Sequence, residues 1–434
     1  MQRRLVTCVT IMTTISVLAI SGQIAEAQQE TRRPTRYYVF NLGEPGGGNS
    51  AAAASINNIG WIAGNALQAG NANEHAELWV GTSIDLGTLG GANSAVAWPN
   101  KNNRGLIAGI SETADMNPFN EAWSCAQANF PTITNHVCLG FVWQAGVMSS
   151  LAPLPGGIDS YAAGTNNRGE VAGWAENGVH DSSCNNAPPA NQVLQFEGVV
   201  WGPKLGELTQ LSPLAPDPDS AATAINDKGQ IVGISGLCSN AVGGTSAQHA
   251  VLWENKTATP ISIGNFDGGV AWNTPTAINS RGQVVGFANR QGTEGSAFNP
   301  IAFFWDKQRG IEPIPPIGDD TNSWAWGINS HGMAVGQSFG GADDPTGRAF
   351  LYENGVATDL NTLIQANSSL QLELANDITE EGEIVGFARD ANTGSTVAFL
   401  AVPVTGSGGR AAAANLGVST VSAVWPAVWP FPTK

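Results

Sequence analysis

Positive charge is scarce in this 434-residue chain: 19 Lys and Arg stand against 35 Asp and Glu, leaving a formal net charge of −16. A polyphosphate partner needs a basic patch, so nucleic acid is not an expected partner and an anionic membrane surface is disfavoured. Charged residues of both signs make up only 12% of the chain, too few for surface helices rich in Lys and Glu. The abundance of Gly, Ala, Asn, Ser and Thr suits many strands joined by turns. Long apolar runs are missing as well. The run from Leu5 to Ile20 falls short of the ~18–20 residues needed to span a bilayer, so no stable membrane insertion is expected. Histidine occurs five times, at His75, His136, His180, His249 and His331, with no zinc-ligand spacing and no Ser/His/Asp arrangement.

The apolar run follows Arg3 and Arg4 and precedes Ala25-Glu26-Ala27, the pattern of a secretory signal peptide with a small-residue cleavage site. Residues 1–27 are therefore read as a leader that includes Cys8, and residues 28–35 as a short N-terminal extension. Without the leader, 17 basic residues face 34 acidic ones, and the expected location is secreted, whether extracellular or periplasmic. Four cysteines remain, Cys125, Cys138, Cys184 and Cys238, an even number that suits disulfides in an oxidising compartment. They allow three pairings, and free buried thiols are the alternative.

What the chain does contain is one phrase written again and again. "SINNIGWIAGNA", "AINDKGQIVGIS", "AINSRGQVVGFA", "GINSHGMAVGQS" and "DITEEGEIVGFA" are clear copies, with weaker ones at "NKNNRGLIAGIS" and "GTNNRGEVAGWA". Aligned on Gly60, Gly105, Gly169, Gly229, Gly282, Gly332 and Gly382, the seven copies are separated by 45, 64, 60, 53, 50 and 50 residues. A second phrase recurs in each unit, as "HAELW", "LGFVW", "EGVVW", "HAVLW", "IAFFW", "RAFLY" and "VAFLA", and a short apolar segment follows it. One unit thus reads as strand a ending near the Asn, strand b after a tight turn, strand c as the aromatic phrase, and strand d before a Gly- or Pro-rich connection.

Periods near 50 residues with four strands per unit are the signature of a β-propeller. The expected fold is all-β, a seven-bladed β-propeller of four-stranded antiparallel blades over residues 36–404. The seventh unit lacks a strand d, while the chain opens on an orphan strand, "RYYVFNLGEPGG". This N-terminal strand is expected to complete the last blade, which would remove an exposed sheet edge. Residues 405–434 read as a Gly/Ser linker followed by an apolar tail around Trp425 and Trp429, which suits either docking or disorder.

The paired phrases "AINDKGQIVG" and "HAVLW" resemble the HAF family of extracellular repeat proteins over roughly residues 36–404. The resemblance implies the repeat fold and secretion, and no particular activity. Units two and three depart from the pattern, with Lys101 and Thr165 where other copies carry Ile, so strand a is least certain there.

An active site needs one asymmetric cluster, and a residue present in every copy points in every direction. The repeated Asn (Asn57, Asn102, Asn166, Asn226, Asn279 and Asn329, with Thr379 in the last copy) is therefore read as a turn former, its side chain capping N–H groups while Gly takes the φ > 0 position. Function should lie in the varied connections between strands b and c and between d and a, which emerge together at one end of an up-and-down blade. All four mature cysteines fall in b–c insertions. Cys125 and Cys138 share one and Cys184 and Cys238 occupy adjacent ones, which favours those two pairs as braces for long loops.

Three kinds of candidate follow. Trp98, Trp272, Trp324 and Trp326 lie in or beside strand a, where exposed indoles with Asp319 and Asp320 nearby would stack on sugar faces; core packing is the competing role. Asp217, Asp219 and Asp267 in d–a loops, and the pair Asp343 and Asp344, are candidate oxygen ligands for calcium, the one cofactor considered. No segment matches a calcium-loop pattern, and Asp before Pro, Ser or Gly is also ordinary turn chemistry. The expectation is a monomeric secreted binding protein for a glycan or another extracellular protein. The alternative is an extracellular hydrolase or lyase acting on polysaccharide through carboxylates. Three carboxylates within about 6 Å at the channel mouth would favour the enzyme; a mouth lined by Trp and Asn would favour binding.

Overall fold

The computed structural model describes residues 35–121, 125, 130–132, 134–184, 191–204, 206–238, 244–266, 269–290, 298–340 and 347–404. The expected leader, N-terminal extension and C-terminal tail thus lie outside the described residues or at their margin, as do Asp267, Asp343 and Asp344. The described residues are all-β, with two short 3₁₀ turns among them. After β1 (Tyr37–Gly43) come β2 (Gly47–Ile56), β3 (Ile62–Gln68), β4 (Glu74–Val80) and β5 (Thr82–Asp85), then β6 (Gly90–Ala95), β7 (Ile107–Met116), β8 (His136–Gln144) and β9 (Val147–Ser150). The next runs are β10 (Ser160–Thr165), β11 (Val171–His180), β12 (Leu194–Trp201) and β13 (Leu208–Gln210); and β14 (Asp219–Ile225), β15 (Ile231–Gly236), β16 (His249–Trp253) and β17 (Ile261–Ser262). They are followed by β18 (Thr274–Ile278), β19 (Val284–Asn289), β20 (Pro300–Asp306) and β21 (Gly310–Ile314); and by β22 (Asn322–Ile328), β23 (Ala334–Phe339), β24 (Arg348–Glu353) and β25 (Val356–Asp359). Only three strands close the series: β26 (Leu370–Ile378), β27 (Ile384–Asp390) and β28 (Thr396–Pro403).

Each run of four is an antiparallel meander in sequence order. β26, β27 and β28 continue the pattern, and β1 pairs antiparallel with β28, Tyr37 opposite Pro403 and Phe40 opposite Leu400. A single parallel pairing, Ser50 with Thr396, joins that sheet to β2–β5.

The repeated phrase is the hairpin between the first two strands of a unit. Asn226 Oδ1 accepts the N–H groups of Lys228 and Gln230 at 3.0 Å each, and Gly229 closes the turn at φ +81°, where a side chain would be strained. The second glycine of the phrase answers a different demand. A bulge in the first strand, between Ala222 and Ala224, pushes that backbone over β15. A Cβ on Gly233 would overlap the Ala221 carbonyl oxygen.

The asparagine also does something that a turn former need not. Its Nδ2 donates to the following unit: Asn57 to Asn102 O (3.0 Å), Asn166 to Asn226 O (3.1 Å), Asn226 to Asn279 O (2.9 Å), Asn279 to Asn329 O (2.8 Å) and Asn329 to Thr379 O (3.0 Å). Asn102 makes its link to Thr165 Oγ1 at 2.6 Å. The last unit returns to the first through Glu380 N–H and Asn58 Oδ1, 3.0 Å.

Strands apolar on both faces are covered on both faces. Ala172, Val200 and Leu211 pack against Ala222, Ile231, Val251 and Trp253; Val232, Leu252 and Ile263 against Ile278, Val284 and Trp305; and Val385, Ala398 and Leu400 of the final strands against Ala51, Ile56 and Trp79 of the first. The Trp ending the aromatic phrase works in these interfaces: the Trp253 indole N–H reaches Ser212 O and that of Trp201 reaches Ala152 O, both at 2.9 Å.

Unit two departs where its sequence does. β6 stops at Ala95, and past Pro99, which has no N–H to give, the Asn100 side chain takes over: Oδ1 accepts Ala108 N–H at 2.8 Å and Nδ2 donates to Ala108 O at 3.2 Å. Lys101 forms an ion pair with the buried Asp377, and its Nζ also donates to Ile378 O at 2.8 Å.

Removing one turn amide separates its two duties. Asn279→Ala should destabilise the fold by about 1–3 kcal/mol. Asn279→Asp, which keeps the acceptor and loses the donor to Asn329, should fall between that variant and the native chain in urea unfolding.

Candidate functional site

Residues of β2, β18, β22 and β26, first strands of their units, help line a cavity of about 560 Å³. Trp98, Trp272, Trp324 and Trp326, chosen from the sequence as separate candidates, all line it. Trp324 and Trp326 stand two apart on β22, as residues on one strand face do, with ring centroids 5.9 Å apart. Trp98 meets Trp326 at 5.4 Å. Phe298 lies 5.4 Å from Trp324 and 4.9 Å from Trp272, and Phe287 lies 5.9 Å from Trp324. Trp272 is held at φ +61°, a conformation that costs a bulky residue about 1–3 kcal/mol and tends to persist where a site imposes it.

Polar groups are few and placed among the rings: Asn65, Glu74, Thr274 and Asn376. The indole nitrogens of Trp272, Trp324 and Trp326 and the Thr274 hydroxyl are buried without a hydrogen-bond partner. An unpaired buried N–H keeps its full desolvation cost until an acceptor arrives. Among the described residues Glu74 is the one carboxyl lining the cavity, and it accepts a hydrogen bond from Asn65 Nδ2. Burial raises its pKa from 4.5 to about 7, against the lowering effect of that bond.

Sequence reasoning missed Glu74, Phe287 and Phe298. Glu74 sits one residue before a repeat phrase, and the two phenylalanines bound the b–c insertion 287–300; only the fold puts them beside the tryptophans. The acidic candidates go elsewhere. Asp320 is buried, accepts Ser338 Oγ at 2.6 Å and pairs with Arg348 at 3.1 Å, and Asp319 lies 3.6 Å from the same guanidinium. Asp217 accepts Ser235 Oγ at 2.7 Å and meets His249 Nδ1 at 2.8 Å. Asp219 accepts Phe196 N–H at 2.9 Å, so it and Asp217 face different partners. None of the four lines the tryptophan cavity. His75 sits 2.8 Å from Asp85, which echoes His249 and Asp217. The disulfides join Cys125 to Cys138 and Cys184 to Cys238, with Cα atoms 5.9 and 4.4 Å apart; the second clamps the β11–β12 connection to the β15–β16 connection.

With this geometry in hand, the chain can be set beside known proteins. A family model described as a protein of unknown function, DUF3466, matches residues 217–401. That is less than half of the chain, and the description names no activity. No curated protein matches. Among solved structures, a putative gluconolactonase is 12% identical, with 48% of this chain and 81% of that one covered and a TM-score of 0.27. Trypanosoma rangeli sialidase is 8% identical (82% of this chain, TM-score 0.38), and this chain spans 55% of its length. A protein of unknown function from Bacteroides thetaiotaomicron is 7% identical (86% and 99% covered, TM-score 0.33). Among the described residues no helix is long and apolar enough to cross a membrane.

Buried carboxyls set the pH response. Burial raises Glu74, Glu77 and Glu197 from 4.5 to about 7 and Asp219 from 3.8 to about 8. Between those values the folded chain keeps protons that the unfolded chain has released, so stability falls as pH rises. Thermal unfolding should therefore occur at progressively lower temperature from about pH 4.5 to about pH 8, and Glu197→Gln should flatten part of the slope. A melting temperature that climbs across this window would contradict the assignment.

Proposed function

We propose that the chain is a secreted, monomeric, seven-bladed β-propeller of the HAF type, spanning residues 36–404, that binds a saccharide unit of an extracellular glycan in the tryptophan cavity. One observation carries this reading: Trp98, Trp272, Trp324 and Trp326 line a single cavity, together with the amides of Asn65 and Asn376. Flat apolar rings cover the C–H faces of a sugar, and the Asn65 and Asn376 side chains in the lining serve its hydroxyls. A cavity of about 560 Å³ suits a small ring more than a protein surface. The ring closure is supported by the β1–β28 pairing and the return bond from Glu380 to Asn58, and secretion by two disulfides. The leader (1–27), the extension (28–35) and the tail (405–434) keep the roles expected from sequence.

A second reading, a polysaccharide hydrolase or lyase, draws on one feature, the Glu74 carboxyl poised near neutral pH inside the cavity. A glycosidase of the usual kind needs two carboxyls flanking the bond, and among the described residues Glu74 is the one carboxyl in this lining.

Glycan-array screening of the purified chain followed by titration calorimetry tests both. Trp324→Ala and Trp272→Ala should each weaken binding by roughly tenfold or more, while Asp320→Asn lowers thermal stability and leaves affinity unchanged. If Trp324→Ala and Trp272→Ala bind like the native chain, the cavity is not the site. Glycan turnover that disappears in Glu74→Gln while binding persists would select the enzyme.

A further inference from the structure

Beneath the long insertions of units two and three, away from the tryptophan cavity, three carboxylates meet. Glu121, Asp159 and Glu176 each place an oxygen within 4.8 Å of the other two, and none is more than 1% exposed. The backbone prepares each as an anion. Glu121 Oε1 accepts the N–H groups of Val193 (2.8 Å) and Leu194 (2.7 Å), Asp159 Oδ1 that of Cys138 (2.9 Å), and Glu176 Oε2 those of Ile158 (3.1 Å) and Asp159 (2.9 Å). Asn117 Nδ2 donates to Asp159 Oδ2 and Gln192 Nε2 to Glu176 Oε1, both at 3.0 Å. Such donors favour the charged form, and burial opposes it by raising all three pKa values.

The sequence around these carboxylates is poor in positive charge. From Gly105 to Pro203 the sequence holds one Lys or Arg, Arg168, and its Nε donates to Glu170 beside the β10–β11 turn. His180, stacked edge-on against Phe119, is near enough to favour the charged form of Glu121, a smaller effect than burial. Two oxygens are left over. Glu121 Oε2 and Gln192 Oε1 are buried with no hydrogen-bond partner, and the Gln192 amide, itself 0% exposed, is held against the cluster by its bond to Glu176. Carboxylates crowded together beside an amide oxygen that no donor reaches form a set that a metal cation would satisfy.

We propose that Glu121, Asp159 and Glu176, with the side-chain oxygen of Gln192, form a calcium site that fastens the unit-two insertion to unit three. All the donors are oxygen, and the Cys125 and Cys138 sulfurs nearby are consumed by their disulfide, which removes the soft ligands that zinc prefers. Ligand atoms around a cation at about 2.4 Å stand no more than about 4.8 Å apart, and the three carboxylate oxygens lie within that limit. The site is distinct from Asp217, Asp219 and Asp267 and independent of what the tryptophan cavity binds.

The test is calcium content and thermal unfolding of the purified chain after chelator treatment and return to calcium. One Ca²⁺ per chain by plasma mass spectrometry, with a higher melting temperature in calcium than in chelator, is expected. Glu121→Gln should weaken the ion roughly 10- to 100-fold and melt above the native chain in chelator, because it removes an uncompensated buried charge. Gln192→Ala, expected to weaken the ion without removing a carboxylate, serves if Glu121→Gln does not fold. Asp217→Asn and Asp219→Asn should keep the ion. Absence of bound calcium and of any melting shift at millimolar free calcium overturns the proposal, as does an Asp217→Asn chain that loses the ion while Glu121→Gln retains it.

Discussion

An asparagine carboxamide has an acceptor and a donor on the same planar group, and the architecture of this chain leans on that fact. The oxygen of Asn226 closes its own turn, and the nitrogen reaches the carbonyl of the next. Aspartate would close the turn as well and leave the neighbour untouched. Local turn chemistry and the register between sheets are thereby set by one side chain. This fixes where the first strand of each unit ends and hence which of its residues reach the cavity. Thr379, the exception, has a hydroxyl that accepts Glu383 N–H at 3.0 Å; the link onward passes instead to Glu380 and Asn58.

Much of this was legible in the sequence because repetition averages out local ambiguity. The hairpin, the aromatic third strand and the missing fourth strand of the last unit are visible once the copies are aligned, and the all-β arrangement of antiparallel sheets follows. What the alignment hides is the reach of a side chain between units, since the Asn reads as a turn residue whether or not its nitrogen finds a neighbour. Units two and three were the least legible. There Asn100 replaces ladder hydrogen bonds with side-chain ones, and Lys101, an odd residue at an apolar position, turns out to neutralise Asp377.

The candidate site was half visible for a related reason. Tryptophans that break the repeat pattern stand out, and four of them fall together. The acidic residues that stood out in the same way, Asp217, Asp319 and Asp320, pair with His249 and Arg348. A carboxylate's neighbours decide whether it binds a ligand or holds a loop, and those neighbours come from other units. Glu74 and the trio of Glu121, Asp159 and Glu176 carry no linear signal; their chemistry is created by burial and by backbone N–H groups distant in sequence.

The pairing of β1 with β28 sets Tyr37 opposite Pro403, so the first described strand finds its partner in the last. The final sheet is complete only when nearly the whole chain is available, and a molecule stopped short at its C-terminus carries an unmatched strand at its start.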